Sequence, residues 1–298
     1  AGALNNNLLA EELSPSISVI ENDICKWFAN EVGLGNSSGG IAASGGTLNN
    51  LNALVCAKFN SGLIFDPEAS FIISEDAHVS FKKCARILGV KDENLISIGT
   101  DNYGKMDISN LNDEIKKSKS LGKKIFSIVA TFGTTIRGSI DPIYEIGNIC
   151  KDNNIWLHID GSIGGIFAIS NHKFQNINEI NKLKIANSIT INPQKILGIT
   201  KTSSLLLVDD IKKLKKTFST GLPYIDSTED VLNRGELGVQ GSRPAEIIKL
   251  WLGLKFLGKN GIDNILSSSI RKKLLFENIL DKDKFYIYSG SLHIISFE

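Results

Sequence analysis

Charge of one sign is missing from this sequence, and cysteine and methionine are scarce. Its 298 residues hold 33 basic and 32 acidic side chains, a formal charge of +1, with four cysteines and one methionine. A balanced chain lacks the electrostatic footprint for nucleic acid or an anionic membrane surface, and here the lysines are interleaved with acids rather than blocked. Cys25, Cys56, Cys84 and Cys150 lie far apart in helix-like apolar patterns. None stands in a C-x-x-C or zinc spacing, so they are expected to be reduced, buried thiols of a cytoplasmic protein. No run approaches the roughly 18 apolar residues of a membrane span, and no basic-then-apolar leader opens the chain. Internal repeats and low-complexity segments are also absent. What is present, 42% hydrophobic and 22% charged residues, is ordinary for a globular protein of one large or two modest domains. The chain begins at Ala1 and stops at Glu298, just after an apolar strand-like run at 293–297, and is therefore expected to be a fragment.

Strand and helix signals alternate along most of the length. Residues 14–33 carry Ile20, Ile24, Trp27, Phe28 and Val32 at helical spacing, with Ser18-Val19-Ile20-Glu21 fitting a capping box. The small-residue stretch Gly39 to Thr47 reads as a turn feeding a helix that contains Leu48, Leu51, Leu54 and Val55. Such a turn offers free N–H groups and a positive dipole end to a phosphate, although an ordinary capped turn fits equally and a Walker ending is missing. Strands are expected at 70–74, 95–98, 124–131, 155–159, 188–191 and 203–208, with helices at 79–88, 108–120 and 143–153. Helices between near-continuous apolar strands imply an α/β fold whose mainly parallel sheet is covered on both faces. Beyond about residue 210 the pattern changes. Residues 226–241 read as a long polar loop, followed by helices at 244–257 and 262–280 and strands at 285–289 and 293–297.

Two residues stand out chemically. The apolar run Ile155-Trp156-Leu157-His158-Ile159 ends in Asp160, and Ser188-Ile189-Thr190-Ile191 leads into Asn192-Pro193-Gln194-Lys195. A carboxylate and a lysine at neighbouring strand ends are how an open α/β sheet builds a site. A desolvated lysine has a lowered pKa and can form a Schiff base, whereas a solvated Lys195 would be plain surface. Asp160 has a turn cap as its alternative. His158 and Asp160 share a strand face without an evident third metal ligand. The Gly/Ser turn after Asp160 does not fit a G-x-S-x-G elbow.

Taken jointly, SGGT, DAHVSFKK, ATFGTT…DPI, WLHIDGSIGG and NPQK resemble, in order and spacing, the pyridoxal-phosphate-dependent group II amino acid decarboxylases. That family includes the glutamate, diaminobutyrate, sulfinoalanine and aromatic amino acid enzymes. The resemblance continues to GSRPAEIIKLWLGLKFLG and so covers essentially the whole chain. It implies a fold-type I architecture, pyridoxal 5'-phosphate as cofactor, α-decarboxylation of an L-amino acid, and a homodimer with the site at the subunit interface. It also implies that Lys195 holds the cofactor as a Schiff base and that Asp160 binds the pyridine nitrogen, keeping it protonated so that the ring acts as an electron sink. His78 then stacks on the ring, Thr135 contacts the cofactor, the phosphate sits on Gly45, Gly46 and Thr47 with Asn192 as a further donor, and Gln194 is a further cofactor-binding residue. The DPI and NPxK segments lean toward the acidic or diaminobutyrate branch. Other pyridoxal-phosphate reactions, or a truncated chain that binds cofactor without turnover, are the alternatives.

Three positions depart from the family pattern. Gln194 stands where many members have histidine, and Gly161-Ser162 replaces Ala-Ala. The position of a catalytic loop tyrosine, counted back from Arg243, falls near Arg234. No tyrosine stands close to that position; Tyr224, the only tyrosine in the loop region, is carried as the candidate, although it also matches a non-catalytic tyrosine earlier in the family's pattern, and a packed loop anchor is its alternative reading. The expected organisation is a large cofactor-binding α/β domain over 1–215, then a linker loop and an incomplete small domain over 216–298.

Overall fold

The computed structural model describes residues 6–171, 174, 177, 179–221 and 233–298. A helix α1 (Pro15–Glu31) leads into strand β1 (Gly39–Ala43) and helix α2 (Gly46–Asn60). Then follow β2 (Ala69–Ser74), α3 (Ser80–Ile87), β3 (Leu95–Ile98), α4 (Ile108–Ser120), β4 (Lys124–Thr131), α5 (Ile143–Asn153), β5 (Trp156–Gly161), β6 (Ser188–Ile191), β7 (Ser204–Val208) and α6 (Ile211–Phe218). A long helix α7 (Ile247–Ile279) and the hairpin β8 (Ile287–Ser289) and β9 (Ile295–Phe297) complete the chain. Seven strands form one sheet in the order β1-β7-β6-β5-β4-β2-β3. β6, β5, β4, β2 and β3 are mutually parallel. β7 runs antiparallel to both neighbours, so β1 again points the same way as the rest.

Alternate side chains of the strands supply the two faces. Leu205 and Leu207 join the core beneath α1, α4, α5 and α7, whereas Leu206 and Val208 pack with α2 and α6 on the other side. Phe71, Ile73 and Phe126 meet α2 and α3 on that second side. All four cysteines are free and buried. No helix among the described residues is long and apolar enough to cross a membrane.

Three sequence expectations need correction. The stretch 39–43 is a strand rather than part of the turn. It escapes notice because Gly and Ala carry no β-branched signal, yet a β-carbon on Gly40 would lie 2.1 Å from the Leu206 carbonyl oxygen, so glycine is what permits the pairing. The capping box is not formed: α1 starts at Pro15, Ser18 lies within it, and Glu21 points inward. There its carboxylate meets Arg234 Nε at 3.1 Å and Arg243 Nη1 at 2.7 Å. Burial alone would raise the Glu21 carboxyl, but Arg243 and Arg234 outweigh it and hold it below the usual range. The third correction is α6, whose short run after Asp210 was not expected. Asp210 caps it by accepting from the Lys212 N–H at 3.0 Å. The two helices expected over 244–257 and 262–280 are both present within α7, which breaks between them at Gly258 (φ 57°, ψ 177°).

Candidate active site

Because β1, β2, β4, β5 and β6 point the same way, their carboxyl ends open along one sheet edge, where open α/β sheets bind ligands. Each delivers a segment there. β1 leads into Ser44, Gly45, Gly46 and Thr47, and β2 into His78. β4 ends in Thr131 before Gly133 and Thr135, β5 in Asp160 before Ser162, and β6 leads into Asn192, Gln194 and Lys195. These residues line a single cleft of about 630 Å³, with Leu51, Ile87 and Ile163 on its apolar side. Every sequence-derived site residue except Tyr224 is in that lining, and Tyr224 lies outside the described residues.

The start of α2 forms one end of the cleft. No side chain caps it, and the Leu48 and Asn49 N–H groups turn back to the Gly45 carbonyl at 3.1 and 3.2 Å. The first N–H groups of a helix have no intrahelical acceptor, so those of Gly46 and Thr47, with the helix dipole behind them, suit an anion. A β-carbon on Gly46 would sit 2.7 Å from Asn192 Nδ2 and 2.8 Å from Ser162 Oγ. Only glycine fits between them. Asn192 Oδ1 accepts a short bond from Ser204 Oγ, which turns its amide nitrogen toward the helix start. Gln194 is fixed likewise, its carbonyl taking the Ser203 N–H at 2.6 Å. Its Nε2 faces Gly45.

At the other end Asp160 is 4% exposed. Its Oδ1 accepts from the Ser162 N–H at 3.1 Å and its Oδ2 from Asn50 Nδ2 at 3.0 Å. The Lys195 side chain is exposed overall and opens into the cleft, with only its terminal group partly desolvated. Burial of its ammonium pulls its pKa down, and the Asp160 charge opposes that shift. His78 is held by its Nδ1, which accepts the Ser80 N–H at 3.2 Å and leaves Nε2 free to carry the ring proton. Cys84 also lines the cleft, its thiol pushed up to about 12 by burial and by Asp160, so it is inert there.

Several contributors were not read from the sequence. Asn50 and Thr131 are two, and the Thr131 hydroxyl is buried without a hydrogen-bond partner beside Asp160, its cross-strand neighbour. Asn50 is one of three buried asparagines in the first turns of α2, with Asn49 and Asn52, and nothing local in the sequence sets it apart from them. His293 is a third. Leu292, fully buried, seats against Gly133 and Gly164 and brings His293 onto Phe167 with ring centroids 5.9 Å apart. Burial lowers the His293 imidazole, and the Lys195 charge lowers it further. Arg234, 1% exposed and locked to Glu21, is structural rather than a loop residue at the cleft.

A mainly parallel sheet with a lysine, a carboxylate and a helix start at its carboxyl edge defines the fold-type I α/β class of pyridoxal-phosphate proteins. The family model for the pyridoxal-dependent decarboxylase conserved domain matches residues 1–297, and the chain belongs to that family. It is 32% identical over 297 residues to the acidic amino acid decarboxylase GADL1 of Xenopus tropicalis, covering 95% of this chain and 57% of that protein. It is 30% identical over 285 residues to the aromatic-L-amino-acid decarboxylase of Bacillus atrophaeus, covering 93% and 58%. The crystal structure of mouse CSAD superposes with a TM-score of 0.90 at 27% identity, covering 99% of this chain and 63% of that one. The chain thus spans less than two thirds of each relative.

The residues fit the family's cofactor. The start of α2, Asn192 Nδ2 and Gln194 Nε2 offer donors to a phosphate at one end, and the partnerless Thr131 hydroxyl stands beside the buried carboxylate at the other.

Proposed function

We propose that this cleft carries out α-decarboxylation of an L-amino acid, with Lys195 as the covalent anchor of pyridoxal phosphate. The observation that carries the reading is the convergence of four sequence-distant segments on one cleft: the 45–47 turn, His78, Asp160 and Lys195. When bound, pyridoxal phosphate supplies a sink for the electrons released as the Cα–carboxylate bond breaks.

The protein's own groups have separate tasks. Lys195, exposed toward the cleft and with its pKa drawn down by partial burial against the opposing Asp160 charge, acts as nucleophile. Asp160 holds a proton at the ring nitrogen, and His78, anchored through Nδ1, covers the ring face with its plane. Gly45, Gly46 and Thr47 bind the phosphate through backbone N–H groups, with Asn192 and Gln194 adding side-chain donors. Thr135 contacts the ring edge. Leu51 and Ile163, both buried, give the reacting side apolar walls. Tyr224 is the proposed donor of the proton returned to the α-carbon. Asp160 and Lys195 are the only carboxylate and ammonium among the described residues lining the cleft.

The acidic and diaminobutyrate branch is the proposed substrate class. A homodimer is the proposed assembly, supported by apolar side chains that α7 leaves uncovered, among them Leu252, Phe256 (90% exposed) and Ile279. A cytoplasmic location accompanies that reading, as does a division into a cofactor domain over 1–215 and a linker with part of a small domain over 216–298.

The test is CO₂ release with added pyridoxal phosphate across a panel of acidic, diamino and aromatic L-amino acids. Release from at least one substrate is expected, with loss of about a thousandfold or more in Lys195→Ala, as for removal of a catalytic nucleophile. Turnover of substrate without CO₂ would overturn the decarboxylase reading.

A further inference from the structure

Behind Asp160 runs a chain of hydrogen bonds whose direction is fixed at both ends. Trp156 Nε1 donates to Ser188 Oγ at 2.8 Å. Ser188 Oγ lies 2.9 Å from His158 Nδ1, His158 Nε2 lies 3.1 Å from Asn50 Oδ1, and Asn50 Nδ2 donates to Asp160 Oδ2 at 3.0 Å. An indole nitrogen can only donate and a carboxylate can only accept. Asn50 must therefore face Asp160 with its amide nitrogen and His158 with its carbonyl. That carbonyl requires the His158 proton on Nε2, so Nδ1 is an acceptor and the Ser188 hydroxyl proton points at it. The Ser188 lone pair is left for Trp156. A flipped Asn50 would set its carbonyl against the carboxylate, so the reverse sense is closed.

The fold carries this line through its centre. His158 and Ser188 are register partners on β5 and β6, and His158 and Asp160 share a strand face across which α2 lays Asn50. Asn50, His158 and Ser188 are all buried. We propose that Trp156, Ser188, His158 and Asn50 form a one-way relay that positions the Asp160 carboxylate for the cofactor ring, with Asn50 as the positioning residue that joins the relay to it. This rests on the cofactor reading above. Four dipoles aligned head to tail reinforce one another in a low-dielectric interior, and they remove the rotational freedom an isolated carboxylate would keep. Burial also pushes the His158 imidazole down, to about 4, against the pull of Asp160. That agrees with a neutral ring bearing a single proton.

The direct test is the tautomer of His158, read by nitrogen-15 NMR of the imidazole in the chain without cofactor at pH 7. The other three histidines are substituted in turn for assignment. The relay requires the neutral Nε2–H form, with Ser188→Ala shifting it toward a mixture of tautomers. An Nδ1–H form or an imidazolium in the wild type overturns it. Asn50→Leu should raise the Kd for pyridoxal phosphate, followed by quenching of tryptophan fluorescence, by about tenfold to a hundredfold, the loss of a hydrogen bond to a charged group. An unchanged Kd overturns the positioning role. If Asn50→Leu does not fold, the wild-type tautomer and the Ser188→Ala shift still decide. A wild type that binds no pyridoxal phosphate sinks the cofactor reading, while the tautomer, measured without cofactor, still decides the relay's direction.

Discussion

At the scale of single residues, the site is built by burying polar groups whose partners are nearly all supplied by the chain. Two of these buried groups act on stability with opposite signs. His158 is held neutral down to about pH 4, so as pH falls from 6.5 the unfolded chain takes up a proton the fold refuses, and stability is lost until about 4. Burial raises Asp141 to about 6, although it accepts the Thr131 and Met106 N–H groups. As pH falls from 6 to about 3.8 the fold takes a proton the unfolded chain does not, and stability is gained. The wild type is therefore expected to change little across this window from these two groups. His158→Gln removes one side of the balance. Its stability relative to wild type, measured by denaturant unfolding, should improve by on the order of 3 kcal/mol between pH 7 and pH 4. A difference that does not vary with pH would contradict a buried neutral His158. Asp160 and Lys195 were legible in the sequence because an apolar strand carries the residues at its carboxyl end to the sheet edge, where a charged side chain faces a ligand crevice. Asn50 was not, because its partners are 108 and 110 residues away in the chain and no local pattern reports such distances.

At the scale of elements, strands made of branched residues were readable and the strand made of glycine and alanine was not. β2, β4, β5 and β6 announce themselves by Ile, Val and Phe. β1 is defined by what its neighbour leaves no room for, which is a tertiary fact. Gly40 makes this testable. A β-carbon there would lie 2.1 Å from a backbone oxygen that cannot move aside without breaking the β1–β7 ladder. Gly40→Ala is expected to cost about 3 kcal/mol or more in unfolding free energy, the upper end for overpacking. It should also weaken cofactor binding, because β1 carries the 45–47 turn into the cleft. A stable variant with unchanged affinity would mean that β1 does not set that turn. The capping box at Ser18 failed for a related reason. Its glutamate matches a local rule, but the guanidinium groups of Arg234 and Arg243 reach it from more than 200 residues away.

At the scale of the whole molecule, one directional choice organises everything. Six strands point the same way, and five of them bring residues from positions 44 to 195 to one edge, so the family resemblance along the sequence is the linear projection of that edge. β7 alone runs against them, and this lets Ser203 and Ser204 at its start brace Gln194 and Asn192 from the side. The central claim is that Lys195 is the cofactor's anchor. It is tested most directly by incubating the chain with pyridoxal phosphate, reducing with borohydride and mapping the modified lysine by peptide mass spectrometry. The account predicts modification at Lys195, lost in Lys195→Ala. A label spread over surface lysines, or concentrated on a lysine outside the cleft, would contradict it.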